Sequence, residues 1–211
     1  MEFIMQGVEL FSKGGLVMYP LVVCSVVVLA IIIERCMYLR TADISSAALL
    51  EDTVQKLRAG DWDEAAELCT KAKGVIAEML ARGLAERVDD RQQLEQILEG
   101  AAARMVTKLR YRLDYLDTIV TLAPLLGLLG TVTGMIASFS VLNIKSGQPL
   151  AITGGVGEAL IATATGLCVA IIALVTHSYL NHRIDVIIST MEEAANSIVV
   201  AAIKGTRHEA G

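Results

Sequence analysis

The sequence predicts an all-α membrane protein: three transmembrane helices, the second and third extended into the cytoplasm, plus a cytoplasmic helical region. Two observations carry this. Apolar residues make up 54% of the 211-residue chain, with aromatics at only 4%, and they gather into three blocks. Each block is long enough to cross a hydrocarbon core of about 30 Å, which takes about 20 helical residues. The basic residues are partitioned as well. Lys13 and Lys145 aside, sixteen of the eighteen Lys and Arg lie in residues 34–117 and 181–211.

Residues 1–14 place Ile4, Val8 and Phe11 on one helical face, which predicts a short amphipathic segment at the outer interface. The first block, 15–33, is uncharged. Glu2 and Glu9 stand where a signal peptide has basic residues, and Glu34-Arg35 where it has a cleavage site, so a retained span is expected. Glu34 and Arg35 themselves read as a surface ion pair or anchor.

Residues 34–117 read as helices throughout. Residues 43–58 are rich in helix formers. Gly60-Asp61 breaks them, and Asp61 is placed to cap a helix over 62–73. Gly74 ends that one, and a further helix is expected over about 75–87. Asp89-Asp90 opens a longer pattern, with Gln93 placed as the return member of a capping box. Leu94, Ile97, Leu98, Ala101, Met105, Leu109, Leu113 and Leu116 then keep helical spacing. With no Gly or Pro between Ala101 and Ala123, one helix is expected to run unbroken into the second span, 118–143, with a kink at Pro124. A periplasmic loop, 144–155, leads to the third span, 156–180. Leu180, Ile184, Ile187, Met191, Ala195, Ile198 and Ala202 carry the helical stripe on through 181–211. The excess of basic residues puts both long polar segments in the cytoplasm and the N-terminus in the periplasm.

The net charge of −5 and the even mixing of signs in the polar segments exclude nucleic acid as a partner. Cys24, Cys36, Cys69 and Cys168 fit no metal-ligand spacing, and His177 and His182 are five apart, a poor interval for a shared metal. No nucleophile–base set or phosphate loop is visible. Neither enzymatic activity, a cofactor nor a metal is expected.

Candidate function gathers inside the spans. In the second, Ala123, Gly127, Gly130, Thr131, Gly134 and Ser138 form one face of small residues. In the third, Ala159, Ala162, Thr163, Gly166, Ala170 and Ala173 form another. Such faces let helix backbones approach closely in lipid; they are either a packing seam or the wall of a wet pore to which Thr131 adds a hydroxyl. Glu158 lies about one turn inside the third span. Intramembrane acids usually face a cavity or partner, and a carboxyl that gains and loses a proton in a low-dielectric passage is a natural relay. The alternative is a carboxylate favoured by the helix N-terminus that reaches outer water. Thr165, seven residues on, shares the Glu158 face; Thr163, five residues on, is turned well away.

Leu122–Met135, LAPLLGLLGTVTGM, and Gly157–Leu167, GEALIATATGL, resemble the second- and third-span motifs of the MotA/TolQ/ExbB proton channel family. Gly14–Arg35 is most similar to its ExbB members. Thr133 departs from the pattern, since bulky aromatics are frequent there. The resemblance implies an ion pathway through Thr131, Glu158 and Thr163, preferring Thr163 to Thr165. Gly127, Gly130, Gly134, Ala162 and Gly166 would form the helix-packing or pore face. It also implies a homo-oligomer, a pentamer, in the bacterial inner membrane around a dimer of single-span ExbD/TolR-like partners that supply an essential aspartate. A TonB-like protein and membrane lipid would be further partners. The implied function is use of the proton motive force to energise TonB-dependent outer-membrane transport. A TolQ-like role in envelope constriction and a non-conducting membrane scaffold are the alternatives.

Overall fold

The structure is a computed structural model that describes residues 14–42, 46–85, 87–88, 90–144 and 149–209. Every regular element among them is a helix: α1 (Met18–Ala42), α2 (Ser46–Ala59), α3 (Trp62–Lys71), α4 (Val75–Gly83), α5 (Arg91–Arg110), α6 (Leu113–Ile144) and α7 (Pro149–Glu209). Three helical stretches, within Met18–Ala59, Arg91–Ser140 and Gly154–Ile203, are long and apolar enough to cross a membrane. No more than 33% of any of these apolar windows is buried within the chain. The rest, including Val23, Leu29, Leu125, Ile136, Phe139, Ile171 and Val175, is exposed, as lipid-facing or partner-facing surface requires. The chain is a multi-pass membrane protein.

The helices fall into two compact units, one of Met1–Ile33 with Arg112–Tyr179 and one of Glu34–Tyr111 with Leu180–Gly211. The second unit has a conventional apolar core. Leu57, Trp62, Cys69, Met79, Leu80 and Leu84 are buried, with Leu94, Leu98, Met105 and Leu109 of α5 and Ile184, Ile187, Met191 and Ile198 of α7. The α5 and α7 residues are among the periodic positions read from the sequence, of which Ile97 and Ala195 are only half-buried. Gly60 and Gly74, both at positive φ, separate α2 from α3 and α3 from α4. Trp62 Nε1 donates to the carbonyl of Leu84 at 3.1 Å, closing the end of α4 over the start of α3. Burial pushes the Cys69 thiol up from its usual range, against a smaller opposing effect of Thr53, so this cysteine is kept as an inert thiol.

Several expected boundaries shift. The helix after Gly60 ends at Lys71 and the next at Gly83. Asp61 occupies the N-cap position of α3 but its side chain makes no capping bond. Asp90 does cap α5, accepting from the amides of Gln92 and Gln93 at 3.4 and 3.3 Å. Of the expected loop over 144–155, the described residues are helical, since α6 reaches Ile144 and α7 starts at Pro149, and residues 145–148 lie outside the described residues. α6 continues through Pro124 as one element. The outer amphipathic segment over 1–14 lies, except for Gly14, outside the described residues, as does Asp89.

The main correction concerns the helix expected to run unbroken into the second span. It is interrupted at Tyr111 (ψ 133°) and Arg112 (φ 68°), which separate α5 from α6. The cause is Arg35, which is not on the surface but only 3% exposed. Its Nη1 donates to the carbonyls of Lys108 and Leu109 at 3.2 and 3.3 Å. In an unbroken helix those carbonyls would be taken by the amides of Arg112 and Leu113. A guanidinium at a helix C-terminus also meets the negative end of the macrodipole. The fork of Arg35 is completed by both carboxylate oxygens of Glu34, at 3.1 and 3.0 Å. Its Cζ lies 5.1 Å from the Tyr38 ring centroid and 5.4 Å from that of Tyr111. An ammonium cannot reproduce a bidentate pair plus two carbonyl contacts. Arg35→Lys is therefore expected to destabilise this unit by about 1–3 kcal/mol and to speed amide exchange at residues 110–113, measured by hydrogen exchange in detergent.

A second link within the unit is titratable. Glu78 of α4 accepts from Lys108 of α5 at 2.7 Å and from Arg82 at 3.1 Å. Lys108 first, then Arg82, hold its carboxyl below the usual glutamate range. A depressed carboxylate contributes stability that is complete above the unfolded-state range and is lost as pH falls through the folded value. The groups are 40–49% exposed, so the contribution is about 0.2–1 kcal/mol. Acidification below the glutamate range should lower the amide protection factors of α4, after correction for the intrinsic exchange rate, and Glu78→Gln should remove that loss.

Candidate functional site

The first unit is built on the close approach of α6 and α7. A Cβ at Gly127 would stand 3.1 Å from Thr163 Cα and 3.2 Å from the Ala162 carbonyl oxygen, and one at Gly130 would overlap the Ala162 Cβ. At Gly134 it would meet Gly155 O at 3.0 Å and Ala159 Cβ at 3.1 Å; at Gly166, Ala123 O at 2.5 Å and Gly127 Cα at 3.0 Å. The two small-residue faces read from the sequence thus meet each other within one chain. Thr163 stitches the seam: its hydroxyl donates to Gly127 O at 3.0 Å and lies 3.3 Å from Ala159 O. Only because residue 127 lacks a side chain can that carbonyl come within reach.

The other hydroxyls serve their own helices. Thr131 Oγ1 donates to Leu128 O at 2.6 Å, and Thr165 Oγ1 to Ile161 O at 2.8 Å. Thr133 bonds to Leu129 O and Gly130 O, and buried Ser138 to Gly134 O. Thr131, Thr163 and Thr165 are all half-buried. Their hydroxyls are committed to main-chain carbonyls, not to a carboxylate.

Glu158 is half-buried as well, and it faces a different neighbour. Its carboxylate lies against Gly15, at the head of α1, where a Cβ would overlap Oε1. Glu158 and Thr163 are five residues apart, about 140° around the helix. One accordingly meets α1 and the other α6. Sequence reasoning did not find Gly15; the signal available was a Gly-Gly pair at 14–15 directly before an apolar run. Neither the seam nor the Glu158 environment gathers His, Cys, Asp or Glu into a group able to hold a metal, and none exists elsewhere among the described residues.

Residues 71–193 match the MotA/TolQ/ExbB proton channel family. The chain belongs to this family. The matched segment contains Thr131, Glu158 and Thr163 and excludes α1. Among individual MotA/TolQ/ExbB relatives, the chain is 37% identical over 169 residues to the ExbB-like 1 biopolymer transport protein of Synechocystis sp., covering 78% of this chain and 66% of the relative. It is 30% identical over 190 residues to biopolymer transport protein ExbB of Neisseria meningitidis, covering 83% and 86%. With the ExbB homolog of Methanothermobacter thermautotrophicus it shares 28% over 178 residues, covering 84% and 63%. The chain therefore spans just under two thirds of the Synechocystis and Methanothermobacter proteins. The likeness is strongest to ExbB-named members.

The seam makes a steric prediction. Gly130→Val must push α6 and α7 apart at Ala162, at a cost of about 1–3 kcal/mol, visible as a lower thermal midpoint in detergent. Gly100→Ala, where an added Cβ meets nothing within 4 Å, should instead leave stability unchanged or raise it by up to about 1 kcal/mol.

Proposed function

We propose that this chain is the proton-conducting subunit of an ExbB-like inner-membrane motor that energises TonB-dependent outer-membrane transport. The observation that carries the reading is Glu158: a carboxyl on an apolar helix, half-buried against a neighbouring helix head, inside the segment that matches the proton channel family. Buried acids at membrane depth are costly and mark ion or proton paths. On this reading Thr131 and Thr163, on the two packed spans, belong to the same path, as the family motifs imply.

On this reading the polar segments face the cytoplasm, with the N-terminus periplasmic and the C-terminus cytoplasmic, following the basic residues. Five copies would surround a dimer of single-span ExbD/TolR-like partners, whose aspartate would exchange protons with Glu158. The names of the relatives support the ExbB assignment over a TolQ-like one. A non-conducting scaffold is the second reading. It is favoured by the seam itself, since Gly127, Gly130, Gly134 and Gly166 are accounted for by packing within one chain.

Conductance separates the two. Glu158→Ala should reduce proton flux to background in proteoliposomes while the oligomer and any single-span partner still co-purify. Thr131→Val should impair flux partially. Undiminished flux in Glu158→Ala at normal expression would move the function to the scaffold reading.

A further inference from the structure

The head of α1 is an unusual piece of backbone. Gly15 has φ +70°, and a side chain there would not only strain the chain but also occupy the space of the Glu158 carboxylate. A Cβ would overlap Oε1 and stand 2.8 Å from Cδ and 3.3 Å from Cγ. Two main-chain hydrogen bonds close the turn around Gly15. Met18 N donates to Gly15 O at 3.2 Å and Tyr19 N to Leu16 O at 3.4 Å. Val17 and Met18 are 7% and 4% exposed, and Val17 Cβ packs 3.7 Å from where a Gly130 side chain would begin. The backbone is thus packed on the α6–α7 seam at Val17, and the half-buried Glu158 carboxylate fills the space that a side chain at residue 15 would take.

We propose that Gly15 is a positioning residue for Glu158: the side-chain-free head of the first span is the seat that holds the carboxylate in place for proton exchange. The proposal rests on the role of Glu158 given above and deepens it. It brings α1, which lies outside the segment matched to the family, into the ion pathway. No covalent or redox step is involved; the seat fixes where the carboxyl stands when it takes up or gives up its proton.

Two variants separate seating from backbone strain. Gly15→Ala adds a Cβ to a left-handed residue. Gly15→Asn adds the same Cβ but tolerates that backbone. Proton flux is measured in proteoliposomes holding the complex purified with its single-span partner. The modification of Glu158 by dicyclohexylcarbodiimide is followed in parallel by mass spectrometry, which reads the carboxyl without reference to flux. Both variants should lower flux by about tenfold or more, the scale on which misplacing a reacting group by an ångström acts. Both should also change the rate of Glu158 modification several-fold. Recovery of flux and modification by Gly15→Asn would make Gly15 a backbone requirement only and overturn the proposal. Wild-type behaviour of both variants, or failure of both to assemble, would overturn it too. Should Glu158→Ala itself conduct normally, the function assigned to Glu158 fails, and the modification rates still report whether Gly15 seats the carboxylate.

Discussion

The structure of the membrane-facing unit depends on how close two helix backbones can come. Lipid tails offer no hydrophobic reward for bringing helices together, so association rests on close packing and on hydrogen bonds made at short range. Gly127, Gly130, Gly134 and Gly166 remove the side chains that would hold α6 and α7 apart, and the contacts that result leave no room for even a methyl group at Gly130 or Gly166. The Thr163–Gly127 bond follows from that approach rather than causing it. So does the placing of Glu158: with α7 held on α6 by one face, the Glu158 face is turned toward the head of α1.

Much of this was legible in the sequence because it depends on composition and period. Uncharged runs of bilayer length mark spans whatever surrounds them, and the stripe Leu94, Leu98, Ala101, Met105, Leu109 is buried as its spacing requires. The two small-residue faces were also visible. What they meet was not, since a face that can seal a seam and one that can line a pore have the same composition. The family motifs name Thr131, Glu158 and Thr163, but not the neighbours that the fold supplies: Gly15 beside Glu158 and the Gly127 carbonyl beside Thr163.

Two features were illegible for a sharper reason. The break at Tyr111–Arg112 has no Gly, no Pro and no lapse in apolar spacing to announce it. It follows from a guanidinium 73 and 74 residues away in the chain that takes the carbonyls of Lys108 and Leu109. The space beside Gly15 is likewise filled by a carboxylate distant in the chain, from the third span. Local propensity reads what a residue does to its own helix; it is silent where a distant side chain replaces the helix's own donors.

The Glu34–Arg35 pair also limits how this protein can drift. Arg35 is nearly sealed from solvent, its fork divided between Glu34 and two carbonyls. A charge so enclosed cannot be left alone without a large penalty, whereas exchanging both partners together for apolar groups can be tolerated. Loss of Glu34 alone would strand that charge, whereas Glu34, 38% exposed, keeps its water when Arg35 is lost, so replacement is easier in the order Arg35 first, Glu34 second.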